Sequence, residues 1–234
     1  MNIGSRSQVR ALIKKGLVFA DGVPVPKPET QVDEKKVRIT CRGKEYRYRP
    51  MVYYMLNKPS GVVTATWDKH ERTVLDLLKE YLQAPEGGGD LAGVPLKDIF
   101  PVGRLDKDTL GLLLLTNDGP LAHQLLSPRK HVPKTYLVKT QDPITGEMVS
   151  ALSAGISMGG GETALPAKVS LLGERECHIT ITEGKYHQVK RMFRAAGNTL
   201  VYLKRLSMGS LRLDDGLEEG QIRELTEKEV AELC

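Results

Sequence analysis

The chain has 234 residues, 40% hydrophobic and 27% charged, the balance of an ordinary water-soluble globular protein. No apolar run approaches the roughly 20 residues of a membrane helix and no signal-peptide core is present; Cys41, Cys177 and Cys234 lie far apart, which argues against a disulfide framework or zinc site and makes the cytoplasm the default location. The net charge of +5 is unevenly held, because residues 1–50 carry 12 Lys/Arg against 5 Asp/Glu while the remainder is slightly acidic, so a polyanion-binding module joined to a less basic body is expected.

Taken in order, Ser5 with Gln8 three residues on is a capping-box pattern that opens a helix. Val9, Leu12 and Ile13 give it an apolar stripe, Arg6, Arg10 and Lys14 line another face, and Gly16 ends it. Residues 17–23 read as a tight hairpin around Asp21-Gly22, and 37–40 as a further strand. The stretch 42–50, R-G-K-E-Y-R-Y-R-P, reads as a short basic linker whose Pro50 marks a domain boundary. A strand over 51–56 continues through Asn57-Lys58-Pro59-Ser60-Gly61 into a turn. Residues 74–82 form an amphipathic helix, and 84–93, with three consecutive glycines, a flexible loop.

Residues 110–115 are a short continuous apolar run closed by Thr-Asn-Asp-Gly-Pro. Too short for a buried helix, the run reads as a strand covered on both faces. Directly before it stands Gly103-Arg104-Leu105-Asp106, and a glycine turn feeding a buried strand is a rigid mount for reactive side chains. Helices follow at 120–126 and 145–154, and a basic turn from Ser127 leads into a strand over 136–139. Strands are expected at 167–171, 178–182, 201–206 and 210–213, with a last helix at 227–233. Gly159-Gly160-Gly161 lacks a following Gly-Lys-Ser/Thr and is a turn, not a phosphate loop. In residues 183–197 a helical wheel puts Val189, Met192, Phe193 and Ala196 on one face and His187, Lys190, Arg191 and Arg194 on the other. Strands interleaved with few helices, without strict alternation, argue for an α+β domain.

Three segments carry a resemblance. G-R-L-D followed by G-L-L-L-L-T-N-D-G resembles the catalytic-aspartate motif of the pseudouridine synthases, most closely their RsuA branch, which modifies uridines in ribosomal RNA. N-K-P-x-G at 57–61 and G-K-Y-H-Q-V-K-R-M at 184–192 match the same family in the expected order. The basic helix and hairpin of residues 1–46 resemble the alpha-L RNA-binding domain of rRNA-modifying enzymes. That domain usually starts with an L-D-x-x-L helix, which this sequence lacks, leaving the apolar stripe of its first helix without that partner. The resemblance implies an alpha-L domain over 1–46, a linker over 47–50, and over 51–234 a synthase domain built on a mixed, largely antiparallel sheet.

It also implies a chemistry. Uridine becomes pseudouridine when the bond from ribose C1′ to N1 breaks and one from C1′ to C5 forms, which calls for no redox cofactor, ATP or metal. The base must leave its stack and meet a carboxylate in a water-poor pocket. The resemblance assigns that carboxylate to Asp106, either attacking C1′ or removing a ribose proton. Lys190 is the cation expected to meet it as a buried pair, because a desolvated carboxylate needs a charge partner. Tyr136, of the K-x-Y motif, would pack on the base, and Arg104 would help open the stack. Lys58, His187, Gln188 and Arg191 are expected to contact RNA, as are Arg6, Arg10 and Lys14 of the N-terminal helix. The partner is therefore ribosomal RNA, free or within an assembling particle, with the enzyme acting as a monomer. Ser127–Tyr136, S-P-R-K-H-V-P-K-T-Y, is closer to the small-subunit enzymes than to the large-subunit ones. A non-catalytic rRNA-binding or assembly factor is the rival from another class. A hydrolase using Asp106 and Asp108 is a second, disfavoured because carboxylates two apart in a turn rarely face each other across a sugar.

Overall fold

Among the described residues the chain forms two sheets, with several of their turns at residues that take positive φ. The computed structural model describes residues 3–33, 36–47, 50–84 and 95–233. Helix α1 (Arg6–Lys14) starts at Ser5, whose hydroxyl accepts from the Gln8 amide while the Gln8 side chain accepts from the Ser5 amide. Strands β1 (Val18–Ala20) and β2 (Val23–Pro24) form the expected hairpin about Asp21 and Gly22, both at positive φ. Strand β3 (Arg38–Cys41) pairs with β1, and β4 (Lys44–Arg47) with β3.

The last of these corrects the reading of 42–50 as a linker. Arg42 and Gly43 both take positive φ, the two-residue turn a hairpin prefers, and Lys44–Arg47 return as an edge strand. Charge masked the signal, since an edge strand facing water is often charged. Residues 48 and 49 of that stretch lie outside the described residues. Leu12, Val18, Val37, Ile39 and Cys41 form a small core of their own, with Ile3 and Ile13 packed on it. Leu12 is thus covered within this small core.

The second sheet begins with β5 (Tyr53–Lys58). Helix α2 (Val74–Gln83) follows, its Thr73 cap and Asp76 side chain each satisfying the other's amide. The loop expected from residue 84 onward falls largely on 85–94, outside the described residues. Strand β6 (Phe100–Pro101) is a short addition paired to β7 (Leu110–Thr116), every residue of which is buried. Then come α3 (Gly119–Leu126), β8 (Lys134–Thr140), α4 (Gly146–Ala154), β9 (Lys168–Gly173) and β10 (Glu176–Ile181). Helix α5 (Gln188–Ala195), β11 (Leu200–Met208), β12 (Leu211–Arg212), β13 (Ile222–Glu224) and α6 (Glu227–Leu233) complete the chain.

The order across the sheet is β13-β5-β7-β11-β8-β10-β9, with β12 beside β11 and β6 beside β7. Only the β7–β11 pair is parallel among these pairings, so the sheet is mixed and largely antiparallel, as expected. Both faces are covered. Leu113 and Leu115 of β7 join the core containing α2, α4 and α5, while Leu112 and Leu114 join the one under α3 and α6. This two-sided burial explains why the β7 sequence is uniformly apolar rather than alternating.

Gly111 makes the parallel pairing possible. Its φ is +99°, and a Cβ there would lie 2.2 Å from the Arg205 carbonyl oxygen on β11. Gly111→Ala is therefore expected to lower stability by at least about 1–3 kcal/mol from backbone strain alone. Urea unfolding checks this, and an unchanged midpoint would show that β7 and β11 can part freely.

Candidate active site

The turn before β7 is held from below by the segment that follows β5. Gly103 takes φ +79°, turning the chain out of β6. The Leu105 amide donates to Thr64 Oγ1 at 3.2 Å, and that hydroxyl donates to the Leu105 carbonyl at 2.8 Å. The Gly61 amide donates to the Lys107 carbonyl at 2.8 Å. Lys58, with no exposed surface, donates from Nζ to the carbonyls of Pro59 (3.1 Å), Lys107 (3.1 Å) and Thr109 (2.9 Å). An ammonium has three donors, and all three are used inside the protein.

Lys58 is thus corrected from an expected RNA contact to a buried clamp under the Asp106 turn. Burial lowers its pKa to about 8; the charges of Asp108 and Asp106 hold it up, and Lys190 pushes against it. It remains an ammonium at neutral pH.

Above the clamp, Asp106 and Lys190 meet across 84 positions of sequence. Asp106 Oδ2 is 2.9 Å from Lys190 Nζ, and its Oδ1 is 3.3 Å from His187 Nε2. The two side chains are 26% and 25% exposed, so the expected buried pair is a half-buried one at the floor of an open cleft. Lys190 also bonds Asp108 Oδ1 at 2.5 Å. Burial works against the charge on Lys190, but its bonds to Asp108 and Asp106 outweigh it and raise the pKa. Burial likewise opposes ionisation of Asp108, but the Lys190 hydrogen bond and charge, with a backbone hydrogen bond and the charge of His187, together outweigh it, so that carboxyl titrates below its usual value. One ammonium therefore fills the space between the two carboxylates. A pair bridged by one shared ammonium does not suit two carboxylates working across a sugar, which weighs against the hydrolase alternative.

The α5 segment departs from the wheel. Residues 183–187 are not helical: His187 is the N-cap in the left-handed region, φ +47°, which turns its ring back over Asp106 and onto the Tyr186 ring, centroids 3.8 Å apart. Gln188 is buried; its Nε2 donates to Glu183 Oε1 at 2.5 Å and its Oε1 accepts from the Lys185 amide at 2.9 Å. Arg191 bonds Glu162 at 2.5 Å and reaches the carbonyls of Met158 and Gly159. Gln188 closes the 183–188 loop, and Arg191, partly exposed, ties α5 to the 156–163 turn.

Arg104, Asp106, Tyr136 and His187 share the lining of a cleft of about 690 Å³, and with Lys190 they line a chamber of about 80 Å³ beside it. Tyr136 is only 8% exposed and presents its ring from β8. Arg6, Arg10 and Lys14 are exposed on α1 and do not line this cleft. Sequence reasoning missed Asp108 as the second partner of Lys190 and the His187–Asp106 contact. The 106/108 spacing was available for the first; the second depends on a left-handed residue that no pattern marked. It also missed Lys134 and Arg205, buried cations in the cleft wall.

A carboxylate held by a lysine beside an aromatic ring, in a cleft large enough for a nucleotide, defines a site for nucleophilic or base chemistry on a sugar or its base. Residues 52–195 match the RNA pseudouridylate synthase family. The chain belongs to that family. It is 48% identical over 231 residues to an uncharacterized RNA pseudouridine synthase of Bacillus subtilis (strain 168), covering 97% of this chain and 92% of that protein. To the ribosomal small subunit pseudouridine synthase A of Vibrio cholerae it is 38% identical over 230 residues, covering 98% and 94%. A crystal structure of a pseudouridylate synthase superposes with TM-score 0.68 at 36% identity, over 98% of this chain and 94% of that one.

The clamp yields a pH test. The Lys58 value of about 8 lies below the ordinary 10.5, so between them the unfolded chain holds a proton the folded chain has released. Stability then rises with pH across that window, as linkage requires. Lys58→Met should abolish this slope. It should also cost at least about 1–3 kcal/mol near neutral pH, by leaving buried carbonyls without donors. Urea titrations on either side of the window decide it, and parallel pH slopes for both proteins would refute the assignment.

Proposed function

We propose that this protein converts a uridine of small-subunit ribosomal RNA to pseudouridine, with Asp106 as the catalytic carboxylate. The observation that carries the reading is the Asp106–Lys190 pair, 2.9 Å apart, on the floor of a cleft that Tyr136 walls. Lys190 keeps a negative charge at Asp106 compatible with partial burial. The Asp106 carboxylate acts on the ribose, at C1′ or on a ribose proton. C1′ then passes from N1 to C5, and the C5 hydrogen leaves while N1 gains a proton. Tyr136 packs against the flipped base, since an aromatic face stacks on any base. Arg104, exposed at the cleft rim, is placed to hold the stack open.

The small-subunit assignment is supported by relatives bearing that name in Vibrio cholerae and Haemophilus influenzae, at 38% and 37% identity. In this reading the N-terminal four-stranded sheet with α1 is an RNA-binding domain and the rest of the chain the catalytic domain. The enzyme works as a monomer in the cytoplasm, on rRNA or an assembling subunit. A binding-only assembly factor would have no physical need to keep a carboxylate, lysine and tyrosine converged on one cavity.

Mapping pseudouridines in rRNA from cells with and without the gene identifies the target. A fragment carrying it, tritiated at uridine C5, then reports turnover, because the new bond at C5 displaces that hydrogen. Asp106→Asn should bind the fragment and release no tritium; Lys190→Met should be crippled and Lys190→Arg partly active. Substantial release by purified Asp106→Asn would sink the mechanism.

A separate test concerns α1, where Arg6, Arg10 and Lys14 are exposed. Replacing all three by Gln should flatten the log–log salt dependence of RNA binding by about 0.7–0.9 for each phosphate left without its cation. Turnover on saturating RNA should change little. An unaltered slope in the triple variant would mean that α1 does not touch RNA.

A further inference from the structure

Among the described residues, two cations in the cleft wall have no carboxylate partner. Lys134 opens β8 and Arg205 lies on β11, where it pairs with Tyr136; both line the cleft with Asp106. They are 8% and 2% exposed. Arg205 Nε donates to the Leu112 carbonyl at 2.7 Å, but its Nη2 is buried and meets no acceptor. Lys134 Nζ donates to the Val132 carbonyl at 2.9 Å. Burial lowers the Lys134 pKa and the charge of Arg205 lowers it further, so the two cations feel each other.

The acids lining the cleft are committed elsewhere. Asp106 serves Lys190 and His187. Glu183 takes the Leu165 amide and Gln188 on one oxygen, and Lys185 at 3.0 Å on the other. A buried guanidinium nitrogen without an acceptor is unfavourable, and a second cation beside it makes it more so. A side chain present only to fill space would be apolar and leave no donor unmet.

We propose that Lys134 and Arg205 form an anion subsite that holds a backbone phosphate of the RNA adjoining the target nucleotide. The inference rests on the reading of the cleft as an RNA-modifying site. A phosphodiester carries its charge on unesterified oxygens that suit a guanidinium fork and an ammonium together. The same cavity reaches Asp106 and Tyr136, so a phosphate held at this wall fixes where the attached ribose lies relative to the carboxylate.

The experiment uses the full chain and the rRNA fragment described above, prepared as a series with one uncharged methylphosphonate linkage at each position flanking the target. Affinity and tritium release are measured for wild type, Lys134→Met, which keeps length and apolar stem, and Arg205→Lys, which keeps charge but loses the fork. One linkage should lower wild-type affinity about tenfold when neutralised and leave Lys134→Met unaffected, as coupled partners in a double-substitution cycle do. Arg205→Lys should show the same linkage effect reduced, so the answer survives should either variant fold poorly. If every linkage affects wild type and both variants equally, the subsite is refuted. It is equally refuted if inorganic phosphate raises the melting temperature of wild type alone while no linkage shows coupling, because the site then takes free phosphate. Coupling in affinity without tritium release from wild type would overturn the functional reading and leave the subsite standing. Release without coupling would do the reverse.

Discussion

The site depends on a buried ammonium. Lys58 carries its charge to a place with no solvent and spends every donor on the carbonyls of Pro59, Lys107 and Thr109. A free lysine would not tolerate this; here the carbonyl dipoles replace its water, and Asp106 and Asp108 supply counter-charge through the turn. The geometry works in both directions. The carbonyls of a tight turn would otherwise point into a dry interior, where an unmet acceptor is costly. Asp106 is therefore fixed by the backbone beneath it rather than by its own contacts alone. The second mount, α5, can then bring Lys190 to a carboxylate already in position.

That arrangement shows what could be read from the chain and what could not. The strand over 110–115, the helices at 74–82, 120–126 and 145–154 and the mixed sheet were legible because burial and turn chemistry leave periodic or uniform patterns. The β4 strand was not, because an exposed edge strand needs no apolar alternation, and its Arg42-Gly43 turn lies among charges that resemble a linker. Strands β6 and β13, two and three residues long, leave too little sequence to pattern.

The site was legible as a set of identities and less so as a set of roles. Asp106, Lys190 and Tyr136 converge as the motifs implied. Lys58, Gln188 and Arg191 look like surface polar residues in sequence, yet each is occupied internally. A long polar side chain beside a glycine or proline turn is as suited to satisfying buried carbonyls as to meeting a ligand, and residue type alone does not separate the two. The difference lies in tertiary neighbours, Thr109 for Lys58 and Glu162 for Arg191, which no local window contains.

Charge placement in the cleft links these points to function. A carboxylate that must act on a polyanion faces repulsion: two unit charges 4 Å apart interact by about 4 kcal/mol at an effective dielectric near 20. Lys190 offsets this for Asp106 directly, but it is shared with Asp108 and cannot also serve the RNA. The surplus has to come from elsewhere in the cleft. Its lining includes Arg104, Lys107, Lys134, Lys185 and Arg205 against Asp106 and Glu183. Lys107 and Lys185 are engaged with Glu71 and Glu183. Among the described residues, Arg104, Lys134 and Arg205 are the lining cations without a carboxylate partner, one at the rim and two in the wall, and in the proposed reading they balance incoming phosphate. In the proposed reading, partition of the cations, some holding the Asp106 carboxylate and others facing the substrate's charge, lets one small cavity hold an aspartate and still admit RNA.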